Sequence, residues 1–171
     1  MSMRNNGATR LRSLHPAPAP ATATAGGNRP QLGLHDYGRL EVAAFEELDM
    51  LSPMRSRIAA LLTEARVVPS TEIPENVVTL GTTVRYRVDG DRLERRLLTL
   101  GRQHVPNGQY VSVLTPVGLA LLGRKPGEMV ETETFNGGKL RIAIASIEHQ
   151  PEAGARTRMP DGPDDSGPEA A

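Results

Sequence analysis

Cysteine and tryptophan are both absent from the 171 residues. Without cysteine the chain forms no disulfide, carries no thiolate nucleophile and holds no cysteine-ligated zinc, a composition that fits a reducing compartment. Aromatic residues make up only 3% of the chain, two Phe and three Tyr. That leaves few rings on which single-stranded bases could stack, which argues against an RNA-binding sheet. Net charge is missing too: 20 Lys+Arg balance 20 Asp+Glu. No global field draws the protein to nucleic acid or anionic lipid, so partner choice falls to local patches. No apolar run approaches the ~18 residues of a membrane span, and the N-terminus lacks the continuous apolar core of a secretory signal. A cytoplasmic protein without membrane association is expected.

What the chain has in quantity is proline and glycine, 14 and 17 residues. Many of them fall at the ends. Residues 1–33 are built from Ala, Pro, Thr, Gly and Asn, including His15-Pro16-Ala17-Pro18-Ala19-Pro20, too little apolar surface to offset the entropy of ordering them. They are expected to be disordered, as are residues 151–171. Through His35 the first segment carries Arg4, Arg10, Arg12 and Arg29 and no acid, either a solvated basic tail or a contact for an acidic surface. The length leaves room for one ordinary domain and a small appendage.

Between the tails the hydrophobic period changes once. Tyr37, Leu40, Ala44, Phe45, Leu48 and Leu51 follow the three-and-four spacing of one helix face, with Asp36 where an N-cap is expected. Met54, Ile58, Leu61, Ala65 and Val68 make a second stripe, opened by Ser52-Pro53 and closed by Pro69. Two such stripes on a short turn bury themselves by folding back, so residues 36–68 predict an antiparallel helical hairpin with coiled-coil-like packing. From residue 77 the pattern alternates, with Val84, Tyr86 and Val88 against Thr83, Arg85 and Arg87. Five strands are expected, at 78–88, 93–100, 110–114, 129–134 and 139–147. Asp89-Gly90, Asn107-Gly108 and Asn136-Gly137-Gly138 punctuate them as an antiparallel sheet. A short helix over 116–122 has Thr115 to cap it, Pro116 to start it and Gly123 to stop it, with Leu119 and Leu122 plugging one face of the sheet. The fold class is therefore α+β.

Thr115-Pro116-Val117-Gly118-Leu119-Ala120-Leu121-Leu122-Gly123, followed by Pro126-Gly127-Glu128, resembles the Ser/Thr-Pro-x-Gly-x-Ala-Leu-Leu-Gly-x-x-x-Gly-Asp/Glu signature of the Gre-factor C-terminal domain family. Residues 77–84 resemble that domain's first strand, and Val111-Ser112-Val113-Leu114 the strand that leads into its helix. The short hairpin resembles the nucleoside-diphosphate-kinase-regulator (Rnk) branch. The resemblance implies an FKBP-like sheet domain over 75–150 that docks on RNA polymerase near its secondary channel, competes with Gre-type factors there, and makes or breaks no bond. The family name also implies a link to nucleoside diphosphate kinase, by contact or through gene expression. The Arg-bearing N-terminal extension lies outside the family pattern.

Gre factors hold a catalytic magnesium ion with acids at the tip of a long coiled coil. Here Glu46, Glu47 and Asp49 lie at the end of the first helix, where the helix dipole disfavours negative charge. They are either solvated surface acids or tip ligands, and so short a hairpin favours the first. Arg85, Arg87, Arg92, Arg95 and Arg96 span a predicted β-hairpin, either as a solvated face paired with Asp89, Asp91 and Glu94 or as a docking surface. Candidate partner contacts are Glu47, Asp49, Arg85, Arg87, Arg95 and Arg96. His15, His35, His104 and His149 have no metal-pair spacing. No nucleophile elbow or phosphate loop occurs, and Tyr86, Tyr110 and Phe135 are too few for a proline-binding aromatic pocket. No catalytic residue, cofactor or metal is expected.

Overall fold

Asp89 at φ 50° and Gly90 at φ 81° supply the two left-handed positions that let a two-residue turn match the twist of its flanking strands. That turn, closed by the Asp91 N–H donating to the Val88 carbonyl at 2.9 Å, opens the five-residue connection 89–93 from β3 (Thr83–Val88) to β4 (Glu94–Thr99). The computed structural model describes residues 29–101 and 108–156. Residues 1–28 and 157–171, which include most of both expected tails, lie outside the described residues, as do His15, His104 and Asn107.

In chain order the elements begin with β1 (Gln31–Gly33), α1 (Leu34–Val42), a π-helical turn (Ala43–Glu47), α2 (Pro53–Glu64) and β2 (Arg66–Val68). After β3 and β4 come β5 (Tyr110–Ser112), α3 (Pro116–Leu121), β6 (Met129–Glu133), β7 (Lys139–His149) and α4 (Pro151–Arg156). The five-stranded sheet has the order β5-β4-β3-β7-β6, and β1 and β2 form a separate parallel pair. Val84, Tyr86, Ile142 and Ile144 of the central strands are buried on one face. Over that face lies α3, whose Leu119 is nearly and whose last residue Leu121 fully buried, as is the next residue, Leu122. The α+β class and the cap, start and stop of α3 hold: the Thr115 hydroxyl accepts from the Gly118 N–H at 3.2 Å, and Gly123 has φ 75°.

The helix block has a close-packing reason for its glycine. A Cβ on Gly118 would stand 2.0 Å from the Ser112 carbonyl oxygen. Only glycine lets the backbone of α3 approach the end of β5 so closely.

Four expectations are corrected. The sheet is not wholly antiparallel, because β4 and β5 pair in parallel, Leu98 opposite Val111. A two-residue turn can join only antiparallel strands, whereas Tyr110 starts β5 opposite Leu97 in the middle of β4. The first helix does not run from 36 to 51. It starts at Leu34 with Gly33 as N-cap, and widens at Ala43–Glu47, where the Leu48 N–H bonds the Ala43 carbonyl. This extra residue in the turn keeps Leu48 buried but leaves Phe45 half exposed. The second helix ends at Glu64, not Val68, because Ala65 turns extended and the Arg66 N–H donates to the Pro30 carbonyl at 2.8 Å. Neither tail begins where expected: Gln31–Gly33 is a strand that buries Leu32, and Pro151–Arg156 is helical. Gln150 anchors that last helix, donating to the carbonyls of Pro74 and Val77 and accepting from the Ala153 N–H.

Leu40, Ala44 and Leu48 face Met54, Ile58 and Leu62 between the paired helices. These join Leu32, Val78 and Leu80 and the sheet residues in one continuous apolar cluster. The base of the helix pair is thus part of the domain rather than a separate stub. Replacing Gly118→Ala should lower stability by about 3 kcal/mol or more, as severe overpacking against backbone does. A urea unfolding midpoint unchanged from the parent chain would refute this account of the glycine.

Candidate docking surfaces

Asp36 is 2% exposed although it is charged. It sits in the first turn of α1, and its Oδ2 accepts from the Leu80 N–H at 2.8 Å. The acid that a local reading takes for a cap therefore serves as a strut between the helix pair and the sheet domain. Close by, the Thr79 hydroxyl donates to Glu152 at 2.7 Å and shares a 3.0 Å contact with the Thr82 hydroxyl. Burial pushes the Asp36 carboxyl up to about 6 from 3.8, opposed by the Leu80 N–H, reinforced by the charge of Glu152, and opposed again by His35 and Arg39. No short-range sequence pattern marks this residue, since its partner lies 44 positions away.

The arginines divide between two faces. Arg85 and Arg95 stand directly opposite each other across β3 and β4, an arrangement of like charges that is unfavourable unless an anion intervenes. Glu148 intervenes. One carboxylate oxygen meets Arg85 Nε at 2.6 Å and the other accepts from Arg95 Nε. The hydrogen bond from Arg95, then the two guanidinium charges, hold this carboxyl below its ordinary range. Arg87, two positions along the same exposed face, donates to the Asp91 carbonyl at 2.9 Å. This end of the outer face therefore gathers three arginines around Glu148, with the Arg141–Glu131 pair at 3.7 Å farther along the same face. Arg96 points the other way, half buried and paired with Glu94 at 2.8 Å. It approaches Tyr86, whose hydroxyl is pushed up to about 12 by burial and by the Glu94 charge. The structure thus brings Arg85, Arg87 and Arg95 together and separates Arg96 from them.

The turn between the paired helices carries Glu46, Glu47 and Asp49, all exposed. Asp49 closes the turn, accepting from the Leu51 N–H through its side chain at 3.2 Å and from the Ser52 N–H through its carbonyl. Among the described residues no group of three or more His, Cys, Asp or Glu is disposed to hold a metal ion. What stands out at the tip is apolar: Met50 is 82% exposed and Leu51 92%, beside the half-exposed Phe45, over which the Arg55 guanidinium stacks at 5.3 Å. Sequence periodicity counted Leu51 and Phe45 as inward-facing. The bare apolar tip was legible only as a gap between two stripes.

The fold is a small α+β domain with an appended helix pair. Residues 73–149 match the family described as "Transcription elongation factor, GreA/GreB, C-term". The chain belongs to the GreA/GreB family, and the resemblance carried by residues 115–128 holds. A solved "Prokaryotic transcription elongation factor GreA/GreB from Nitrosomonas europaea" is 32% identical, covers 71% of this chain and 99% of its own, and superposes with a TM-score of 0.57. "Regulator of nucleoside diphosphate kinase" of Escherichia coli is 29% identical over 130 residues, 74% of this chain and 95% of that protein. "Transcription elongation factor GreA" of Roseiflexus castenholzii is 26% identical over 116 residues, 67% of this chain and 73% of that protein.

The buried acid makes a pH-dependent contribution of definite sign. Its folded pKa lies above its unfolded value, so its contribution is fully present below about 4 and is lost as pH rises through about 6. Asp36→Asn keeps an oxygen for the Leu80 N–H and removes the titration. Between pH 4 and pH 7.5 the variant should gain roughly 2 to 3 kcal/mol relative to the parent chain. Urea unfolding at both pH values measures this, and parallel behaviour of the two proteins would disprove the assignment.

Proposed function

We propose that this chain is an RNA polymerase-binding regulator of transcription that acts by occupancy, without an enzymatic step. In this reading an FKBP-like sheet domain over 75–150 docks near the polymerase secondary channel. The helical hairpin of 36–68, packed in the manner of a coiled coil, meets the channel rim and competes with Gre-type factors. The names of the relatives supply the machinery. The observation that carries the mode of action is the short helix pair with an apolar tip. At 1.5 Å per residue, twelve-residue α2 is ~18 Å long. A stub of that length ending in Met50 and Leu51 suits wedging against a surface better than delivering carboxylates to a distant centre. Glu47 and Asp49 flank the wedge, and Arg85, Arg87 and Arg95 supply a basic face that an acidic surface would complement.

The exposed acids Glu47 and Asp49 favour a second reading, in which the tip assists transcript cleavage. Backtracked elongation complexes decide between the two: RNA that stays uncleaved at saturating protein supports occupancy, and cleavage that vanishes in Glu47→Gln or Asp49→Asn supports the other. The relative named for nucleoside diphosphate kinase raises direct contact with that enzyme, which a pull-down on purified kinase tests.

Core RNA polymerase should retain the chain, and a Gre factor should displace it. Met50→Asp with Leu51→Asp should weaken retention about tenfold or more, the scale of a lost apolar anchor. Arg85→Glu with Arg95→Glu should weaken it mainly at low salt, because exposed charges are screened. Both variants should keep the parent's circular dichroism. Polymerase that ignores the parent chain would overturn the proposal.

A further inference from the structure

Between α2 and the α3–β6 side of the sheet runs a cleft of about 280 Å³. Ala60 and Leu61 form one wall, and Leu119 and Val130 the other. Its outer side is β6, an edge strand, whose residues 130–133 all border the cavity. Arg57 spans the far end, donating to the Glu133 carbonyl and lying 5.8 Å over the Phe135 ring. The cavity is at the small end of the range that takes a ligand. It admits an extended segment with small side chains, not a folded partner.

The start of the described chain packs against residues that neighbour the cleft's lining in sequence. Pro30 is held between Gly123 and Arg66: its carbonyl accepts from the Arg66 N–H, and a Cβ on Gly123 would stand 2.8 Å from its own Cβ. Arg124, next to Gly123, and Glu64, two residues before Arg66, both line the cleft. Direction follows from register. β1 and β2 are parallel with Gln31 opposite Arg66, so tracing the chain backward from Gln31 leads past Ala65 toward the last turn of α2.

We propose that the cleft is a binding site for this chain's own N-terminal segment Ala21–Ala25, seated in extended conformation between α2 and the outer edge of β6. The lengths agree. Gly26-Gly27-Asn28 is a three-residue connector, and five extended residues span ~16 Å, against ~18 Å for α2. The side chains agree as well: Ala21, Ala23 and Ala25 alternate with Thr22 and Thr24, so alanines alone can face the narrow walls while the threonines face water. The segment itself is uncharged, and the cleft border is nearly balanced, with Glu64, Glu131 and Glu133 beside Arg57 and Arg124 and Glu131 also 3.7 Å from Arg141, so no net repulsion opposes the four arginines of residues 1–35. A tether this short gives a local concentration on the order of millimolar, so weak contacts suffice to keep the segment seated.

The absence of native cysteine makes the test direct. A nitroxide attached to Thr22→Cys in the full chain should erase most of the amide signal intensity of Leu61, Leu119 and Val130. Arg87 and Arg95, on the outer face of the sheet, should keep theirs. The same label in a chain that also carries Ala60→Arg, which fills the cleft, should spare all of these amides. Equal broadening on both faces, or broadening at the cleft that survives Ala60→Arg, would overturn the proposal. So would cleft broadening that appears when labelled chain is mixed with isotope-enriched unlabelled chain, since a second copy would then be the occupant.

Discussion

The closeness of the α3 backbone to the end of β5 sets the rest of the arrangement. With no side chain at Gly118, the first turn of α3 rests on the Ser112 carbonyl, and Thr115 bonds both that carbonyl and the Gly118 N–H. This orientation drives Leu119, Leu121 and Leu122 into the sheet's inner face. The same block ends at Gly123, whose left-handed turn and missing side chain give Pro30 and Gln31 a place to lie. One nine-residue motif thereby organises the sheet's core and seats the beginning of the described chain.

From that seat the helix pair grows directly. β1 runs into α1 without a linker, α2 runs into β2 after a single residue, and the two strands pair with each other. Asp36 then ties the first turn of α1 to Leu80. A buried carboxylate that lacks a full positive partner is costly, and its raised pKa records that cost. The apolar cluster that continues from Leu40 and Ile58 through Leu80 to Ile144 supplies the compensating burial.

Much of this was legible in the residues, and what was not follows a rule. Thr115, Pro116 and Gly123 announce α3 because caps and stops act within three residues. Asp89-Gly90 announces its turn for the same local reason. The parallel placement of β5, the partnership of Gln31–Gly33 with Arg66–Val68, and the role of Asp36 each depend on residues far apart in the chain. Periodicity is blind to such pairings. The π-helical turn escaped for a different reason: one extra residue shifts the helix phase and leaves Phe45 outside, and the helix ends at its C-cap Leu48, so Leu51 lies in the turn while the 3.6-residue spacing counts both in. The arginine cluster was legible as residues but not as geometry, since strand alternation sends Arg96 to the face opposite Arg95.

Because the helix pair enters and leaves the domain through two paired strands, with Asp36 bracing the entry, it has no free swivel at its root. It acts as a bracket. Any force applied at Leu51 is carried along both legs toward the Leu80 amide and the Pro30 seat, so the tip is built to move with the sheet domain rather than to swing on it.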